Sequence, residues 1–401
     1  MDDDPVSAAP TNFASVIPAL AANAARIAVV LLPPVDMDAN ATGGSAPSRA
    51  DTDRRHQFAT GGGTAHCVAI VGMTSTGVES LGGLATAWSR GMGLRVPLVN
   101  APMGGVAGGR FAAAVTAAGG LGMIGMGSAG SARALERELH HLRGVRGPFG
   151  IGLVDWVVAA EPELFELAMA AAPALISVSF GTDLSWVDRV RDAGIRTATQ
   201  VYNVDEARRA EDAGIDVVVA RGAEGGGHGA AEMATLPLLD AVIGAVSIPV
   251  LAAGGIASPA SLAGILVAGA SGAWLGTSLA ACSESLLTDD ARRALLAAEG
   301  TETIVTRAFD VGMELPWPAR YSARVLRNEF ADRWTGRERR LSGDRQAKQA
   351  LATALAAADP KVVPVDAGEG VGLVTRVQPV GEAIEELCVG AARLLDDRKP
   401  R

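Results

Sequence analysis

Asp192-Ala193-Gly194-Ile195 and, further on, Asp212-Ala213-Gly214-Ile215 decide the fold of this chain. Each quartet reads as one mechanical unit. A helix closes on Ala, Gly takes the left-handed cap, and the next strand begins at once. Looser echoes stand at Ala117-Ala118-Gly119-Gly120-Leu121 and Val267-Ala268-Gly269-Ala270. Working outward from these units, short apolar runs at 96–100, 121–125, 149–152, 175–179, 197–201, 216–220, 249–252 and 273–276 read as strands. Between them, 110–118, 131–142, 161–172, 185–193, 204–213, 238–245 and 259–268 read as helices. Strict alternation of strand and helix means a parallel sheet with helical crossovers.

Eight such units predict an α/β fold of the closed (β/α)8 TIM-barrel type, with an open doubly wound sheet as the alternative. The barrel is expected over 83–285. Residues 1–82 are rich in Ala, Pro, Ser, Thr and Gly, and read as a low-complexity, disordered extension. Residues 286–401 read as a helical C-terminal segment that packs on the barrel, with helices at 288–299, 321–334, 345–358 and 382–395.

Composition narrows the function. The 401 residues are 49% hydrophobic and 20% charged, enough apolar mass for a large core. A net charge of -9 and 4% aromatics argue against nucleic acid, which needs clustered cations or stacking platforms. Cys67, Cys282 and Cys388 are far apart, so neither a disulfide framework nor a metal cluster is expected. The start Met1-Asp2-Asp3-Asp4 is acidic where a signal peptide is basic, and no run reaches the roughly 20 apolar residues of a membrane helix. A cytoplasmic protein is the expectation.

Chemistry in such a barrel sits just after the strands. Ala252-Ala253-Gly254-Gly255-Ile256 leads into Ser258-Pro259, a helix cap followed by proline at the first helical position. Gly276-Thr277-Ser278 follows the eighth strand. Two such loops side by side form a phosphate site, although tight turns alone would also use these glycines. Arg221-Gly222-Ala223-Glu224-Gly225-Gly226-Gly227-His228-Gly229 is the most informative stretch. Three glycines before a histidine suit neither helix nor strand, and imply a close approach by something else. His228 suits proton transfer near neutral pH, against the plainer reading of an exposed turn histidine. Gly120-Leu121-Gly122-Met123-Ile124-Gly125 matches a dinucleotide fingerprint by spacing, but runs along a strand instead of following one.

The ordered set Pro97-Leu98-Val99-Asn100-Ala101-Pro102-Met103-Gly104-Gly105, Glu224-Gly225-Gly226-Gly227-His228, Ala253-Gly254-Gly255-Ile256 and Gly276-Thr277 resembles the nitronate monooxygenase family. Thr306-Arg307-Ala308-Phe309-Asp310, Leu315-Pro316-Trp317-Pro318 and 367–372 also look like its bacterial members. The resemblance implies an FMN-dependent barrel that oxidises an alkyl nitronate with O2 to a carbonyl compound and nitrite. Ala101, Pro102, Met103 and Gly104 would pass beside the flavin ring, and Gln200 would reach its polar edge. Gly226, Gly227, Ala253, Gly254, Gly255, Leu275, Gly276 and Thr277 would hold the phosphate and its surroundings. His228 would be the catalytic base. Gly152 and Arg221 stand where the family often has Asn and Gln in contact with FMN; Arg221 would pair with phosphate or the flavin edge. Its partners would be a small-molecule substrate and O2, with an oligomer left open. A flavin-dependent enoyl-thioester or NADH:quinone reductase, a non-catalytic flavin-binding protein, and a sugar-phosphate barrel using Glu224 are the competing readings.

Overall fold

The computed structural model of the protein describes residues 83–359 and 361–397. The extension read at 1–82, with Cys67, lies outside these residues. Eleven strands follow in chain order among them: β1 (Leu98–Asn100), β2 (Gly122–Gly125), β3 (Phe149–Val154), β4 (Leu175–Ser179), β5 (Arg196–Val201), β6 (Val217–Arg221), β7 (Gly227–Gly229), β8 (Val250–Ala253), β9 (Gly272–Leu275), β10 (Thr303–Thr306) and β11 (Ser322–Leu326). Eight of them form one parallel sheet in the order β1-β9-β8-β6-β5-β4-β3-β2. A parallel bridge between Val99 and Leu121 joins its two ends, and Leu121 N–H donates to Leu98 O at 2.9 Å. The sheet is a closed TIM barrel.

The repeat units perform as read. Gly194 and Gly214 have φ of +73° and +83°, and Gly119 and Gly269 at the looser echoes +93° and +99°. A side chain with a Cβ would strain these caps, so glycine lets each helix stop and each strand start without an intervening loop.

Alternation along the strands separates two cores. Val217 and Val219 of β6 point into the barrel with Val99, Met123, Leu251 and Trp274. Val218 and Ala220 point outward to the helix layer. Trp88, on the helix Ala87–Gly91, and Met92, which caps its C-terminal end, join the inner cluster. Thr86 of the same segment donates to Ser271 O just before β9, so this helix stoppers the N-terminal end of the barrel. The open end is the other one.

The C-terminal segment differs from its expected all-helical form. Residues 321–334 are not one helix: β11 pairs antiparallel with β10, and the helix there is only Glu329–Trp334. Ala323 and Val325 are buried while Ser322 and Arg324 are half-buried, a period of two that fits a strand. After β9 the barrel has only the single turn Thr277–Ala280. The long helix Val380–Asp396 buries Val380, Ile384, Leu387 and Ala391 and packs against the helices Pro259–Val267 and Gly109–Ala117. It fills the slot of the eighth barrel helix. Gly390 permits the approach, since a Cβ there would meet the Pro259 ring at 2.6 Å. No helix among the described residues is long and apolar enough to cross a membrane.

Candidate active site

A cavity of about 1990 Å³ opens at the C-terminal strand ends. Ala101, Pro102, Met103, Gly104, Gly152, Gln200, Arg221, Gly226, Gly227, His228, Ala253, Gly254, Gly255, Gly276 and Thr277 all line it. Leu275 does not. Its side chain is buried in the helix-facing layer, and its carbonyl accepts from Ala101 N–H at 2.7 Å.

Buried Asn100 sets the floor. Its Nδ2 donates to Met123 O at 2.9 Å and its Oδ1 accepts from Met123 N–H at 2.7 Å, locking the end of β1 to β2. The turn that follows is packed tightly from below. A Cβ on Gly152 would stand 2.2 Å from the Pro102 ring, so no side chain, and therefore no asparagine, fits at 152 while Pro102 stays in place.

The glycine-histidine stretch is not a free loop. Gly227–Gly229 is β7, paired antiparallel with β11, His228 opposite Ala323. What approaches its glycines is the chain itself. A Cβ on Gly226 would lie 2.5 Å from Gly368 N and 2.6 Å from Ala367 C. Beside them, Gly368 N–H donates to Thr277 Oγ1 at 2.9 Å and Glu369 N–H to Glu224 O at 2.9 Å. Buried Arg221 anchors the stretch from within. Its Nη2 donates to the carbonyls of Gly225, Gly226 and Gly227 at 3.1, 2.9 and 3.1 Å. Burial pushes its pKa below the ordinary arginine value. Glu224 is likewise engaged, accepting from the Thr235 amide and hydroxyl at 2.9 Å, where the helix Thr235–Ile243 begins.

Two residues outside the barrel strands hold His228. Its Nε2 lies 2.9 Å from Oδ1 of buried Asp310. Trp317 stacks on the imidazole, with ring centroids 3.6 Å apart and planes 8° from parallel. Trp317 is itself held edge-on by Trp156 and Phe180, at 5.6 and 5.1 Å. Phe180 has φ of +73°, a left-handed conformation that is costly for a bulky residue and is tolerated where the surrounding packing demands it. Asp366 also lines the cavity. It is accessible from the cavity side, yet the protein mass around it raises its carboxyl pKa, with Asp310 adding to the rise and His228 and Arg221 opposing it. Neither Asp310 nor Asp366 was assigned a role from sequence. Only the stretch 306–310 marked the first, and nothing local marked the second.

The cavity wall also presents donors suited to a phosphate. Gly254 and Gly255 have φ of +106° and +67° and sit beside β9. Ser258 caps the next helix, with Pro259 in its first turn. Ser278 Oγ, one residue past Thr277, is buried at the wall with no hydrogen-bond partner among the described residues. A bound phosphate oxygen would satisfy it.

Comparison with known proteins places this barrel and its cavity in a class. The family profile described as nitronate monooxygenase matches residues 87–162 and 158–390. The nitronate monooxygenase of Paraburkholderia phytofirmans is 31% identical over 266 residues, 54% of this chain and 72% of that protein. FabK from Thermotoga maritima superposes with a TM-score of 0.69 at 28% identity, covering 78% of this chain and 97% of the other. The nitroalkane oxidase of Streptomyces ansochromogenes superposes at 0.66 with 29% identity, covering 77% and 99%. The chain belongs to the nitronate monooxygenase family, a family of flavin-dependent oxidoreductases.

Proposed function

We propose that this protein binds FMN in the cavity and oxidises alkyl nitronates with O2 to a carbonyl compound and nitrite. The observation that carries this reading is that His228 lines the same cavity as Ala101, Gly254 and Gly276. One imidazole, one small-residue floor and one phosphate cradle therefore face a common space.

Each group has a task. Gly254, Gly255, Thr277 and Ser278 would bind the phosphate, and Ala101 to Gly104 would support the ring. Gln200 takes a hydrogen bond on Oε1 from Tyr202 at 3.4 Å, which leaves its amide hydrogens for the ring's polar edge. The redox chemistry, electron transfer from substrate to O2, is what FMN supplies when bound. His228 removes the α-proton when the substrate arrives as the neutral nitroalkane. A nitronate has already lost that proton. The packed aromatic wall of Trp317 and Phe180 excludes water from this side. A cytoplasmic setting belongs to the proposal, and the free thiols of Cys282 and Cys388 fit it.

The size of the cavity favours one alternative. At about 1990 Å³ it exceeds the usual 300–1,000 Å³ of a ligand pocket and runs on to Met313, Leu351 and Leu355. A bulky second substrate, an enoyl thioester or a nicotinamide donor for quinone reduction, would fit such an annex.

The test begins with the purified protein, which should be yellow and release FMN. Mixed anaerobically, a nitronate should bleach the flavin faster than NADH does; the reverse order supports the reductase. The variant His228→Ala should keep its flavin and lose roughly a hundredfold or more in turnover of neutral nitroalkane. Undiminished turnover in that variant would refute the assigned base.

A further inference from the structure

We propose that Asp310 is the positioning residue of the catalytic histidine, fixing its tautomer so that Nδ1 is the atom that takes the substrate proton. The inference rests on the reading of His228 as the base.

The geometry is specific. A carboxylate only accepts, so the 2.9 Å contact assigns a hydrogen to Nε2 of His228, donated to Asp310 Oδ1. In the neutral ring the lone pair is then on Nδ1, the nitrogen left for a substrate. Trp317, stacked at 3.6 Å, covers one face of the imidazole and fixes its plane. His228 itself cannot swing with a loop, because β7 is hydrogen-bonded along β11. Partner, plane and backbone all come from residues 310–324, outside the eight barrel strands.

Asp310 stands in the first turn of the helix Ala308–Met313, yet the fold serves its carboxylate poorly. It is 3% exposed, and its Oδ2 is buried with no hydrogen-bond partner among the described residues. A buried carboxylate with an unpartnered oxygen weakens a fold. Its one side-chain hydrogen bond goes to the histidine, which is the contact that a base needs when it becomes charged.

The step balances without a further reactant. The nitroalkane Cα–H bond breaks, its proton goes to Nδ1, and its electron pair becomes the C=N bond of the nitronate with charge on the nitro oxygens. Asp310 then faces an imidazolium through the Nε2–H it already holds. The nitronate itself needs no such step, and this separates positioning from structural support.

The test compares Asp310→Asn with the parent and with His228→Ala, all as flavin-loaded protein. Asn has the size of Asp and keeps an acceptor, so the variant should fold and retain its flavin. Its turnover of neutral nitroalkane should fall at least about tenfold, with the nitronate rate within about twofold of the parent. A second readout does not depend on turnover. Imidazole 15N resonances of flavin-free protein, assigned to His228 by their absence in His228→Ala, should show a protonated Nε2 in the parent and a tautomer mixture in Asp310→Asn. Equal losses on both substrates, or an unchanged tautomer, would overturn the proposal. If His228→Ala lowers nitroalkane turnover and Asp310→Asn does not, the positioning role fails while the function stands. If neither lowers it, the function reading fails and takes the proposal with it.

Discussion

Replacing Arg221 should destabilise the protein and loosen β7, by an amount that the hydrogen bonds set. Nη2 carries two hydrogens and serves the three carbonyls of Gly225, Gly226 and Gly227. Two charge-assisted bonds at about 1.5–3 kcal/mol each give a gross loss of about 3–6 kcal/mol in Arg221→Ala. Two effects reduce it. The cation is disfavoured by its burial, a cost that the variant relieves. The carbonyls lie at a cavity wall, where water can replace the guanidinium. A net loss of about 2–3 kcal/mol remains, which lowers Tm by about 3–5 °C in a protein of this size. Arg221→Gln, which installs the residue more usual in the family, keeps two N–H donors on a shorter stem and should fall in between. Thermal melting by circular dichroism gives the global number, and hydrogen exchange of the amides 225–229 gives the local one. Both should report the loss in the same order, Arg, Gln, Ala. An alanine variant that melts within about 1 °C of the parent, with unchanged exchange at 225–229, would refute the anchoring role.

Asp366 predicts a pH signature in the flavin-free protein. Its folded pKa is raised, chiefly by desolvation from the protein mass around it, above the ordinary 3.8, so below that value it is protonated in both states and imposes no penalty. As pH rises toward the folded value the unfolded chain loses its proton first, and the parent loses stability. The Tm advantage of Asp366→Asn should therefore start near zero in acid, grow as pH rises, and then level off; an advantage constant with pH would contradict it. Burial pushes the thiols of Cys282 and Cys388 up to about 12. Mass spectrometry after alkylation at neutral pH should find both unmodified in the native protein and both modified in urea, and rapid native labelling at either would be inconsistent with that burial.

How far the sequence could be read follows from where each contact comes from. The eight barrel strands were legible because strands buried on both faces are continuous apolar runs, and because the glycine caps lie within a few residues of what they terminate. The same locality exposed the floor at 101–104 and the paired glycines at 254–255. β7 was not legible. Gly227-His228-Gly229 has no strand propensity of its own, and it becomes a strand only because Ser322–Arg324 pairs with it from a distant part of the chain. The partner strand carried its own signal, the buried Ala323 and Val325 alternating with Ser322 and Arg324, but within the longer basic stretch 321–334 it read as part of a helix. The anchoring role of Arg221 was hidden for a related reason. A cation beside a presumed phosphate site invites pairing with an anion, while the carbonyls it holds come together only after β7 folds back.

These misses share a physical source, and it explains how the site is divided. The barrel supplies the cavity through backbone geometry that local sequence dictates. The orientation of the imidazole is set by a separate sheet, β10-β11-β7, whose register decides which way His228 points. A slip of one residue in a strand pair would send its side chain to the opposite face. Arg324 on β11 opposes such a slip. Its Nε and Nη2 donate to Ala223 O at 3.1 and 3.0 Å, and its Nη1 donates to Thr303 Oγ1 at 3.1 Å. It also pairs with Glu369 at 3.1 Å. One guanidinium thus ties β11 to the chain that enters β7, to β10, and to the segment packed on Gly226. The C-terminal segment is therefore part of the candidate active site itself, because without its register the histidine would have neither Asp310 nor Trp317 beside it.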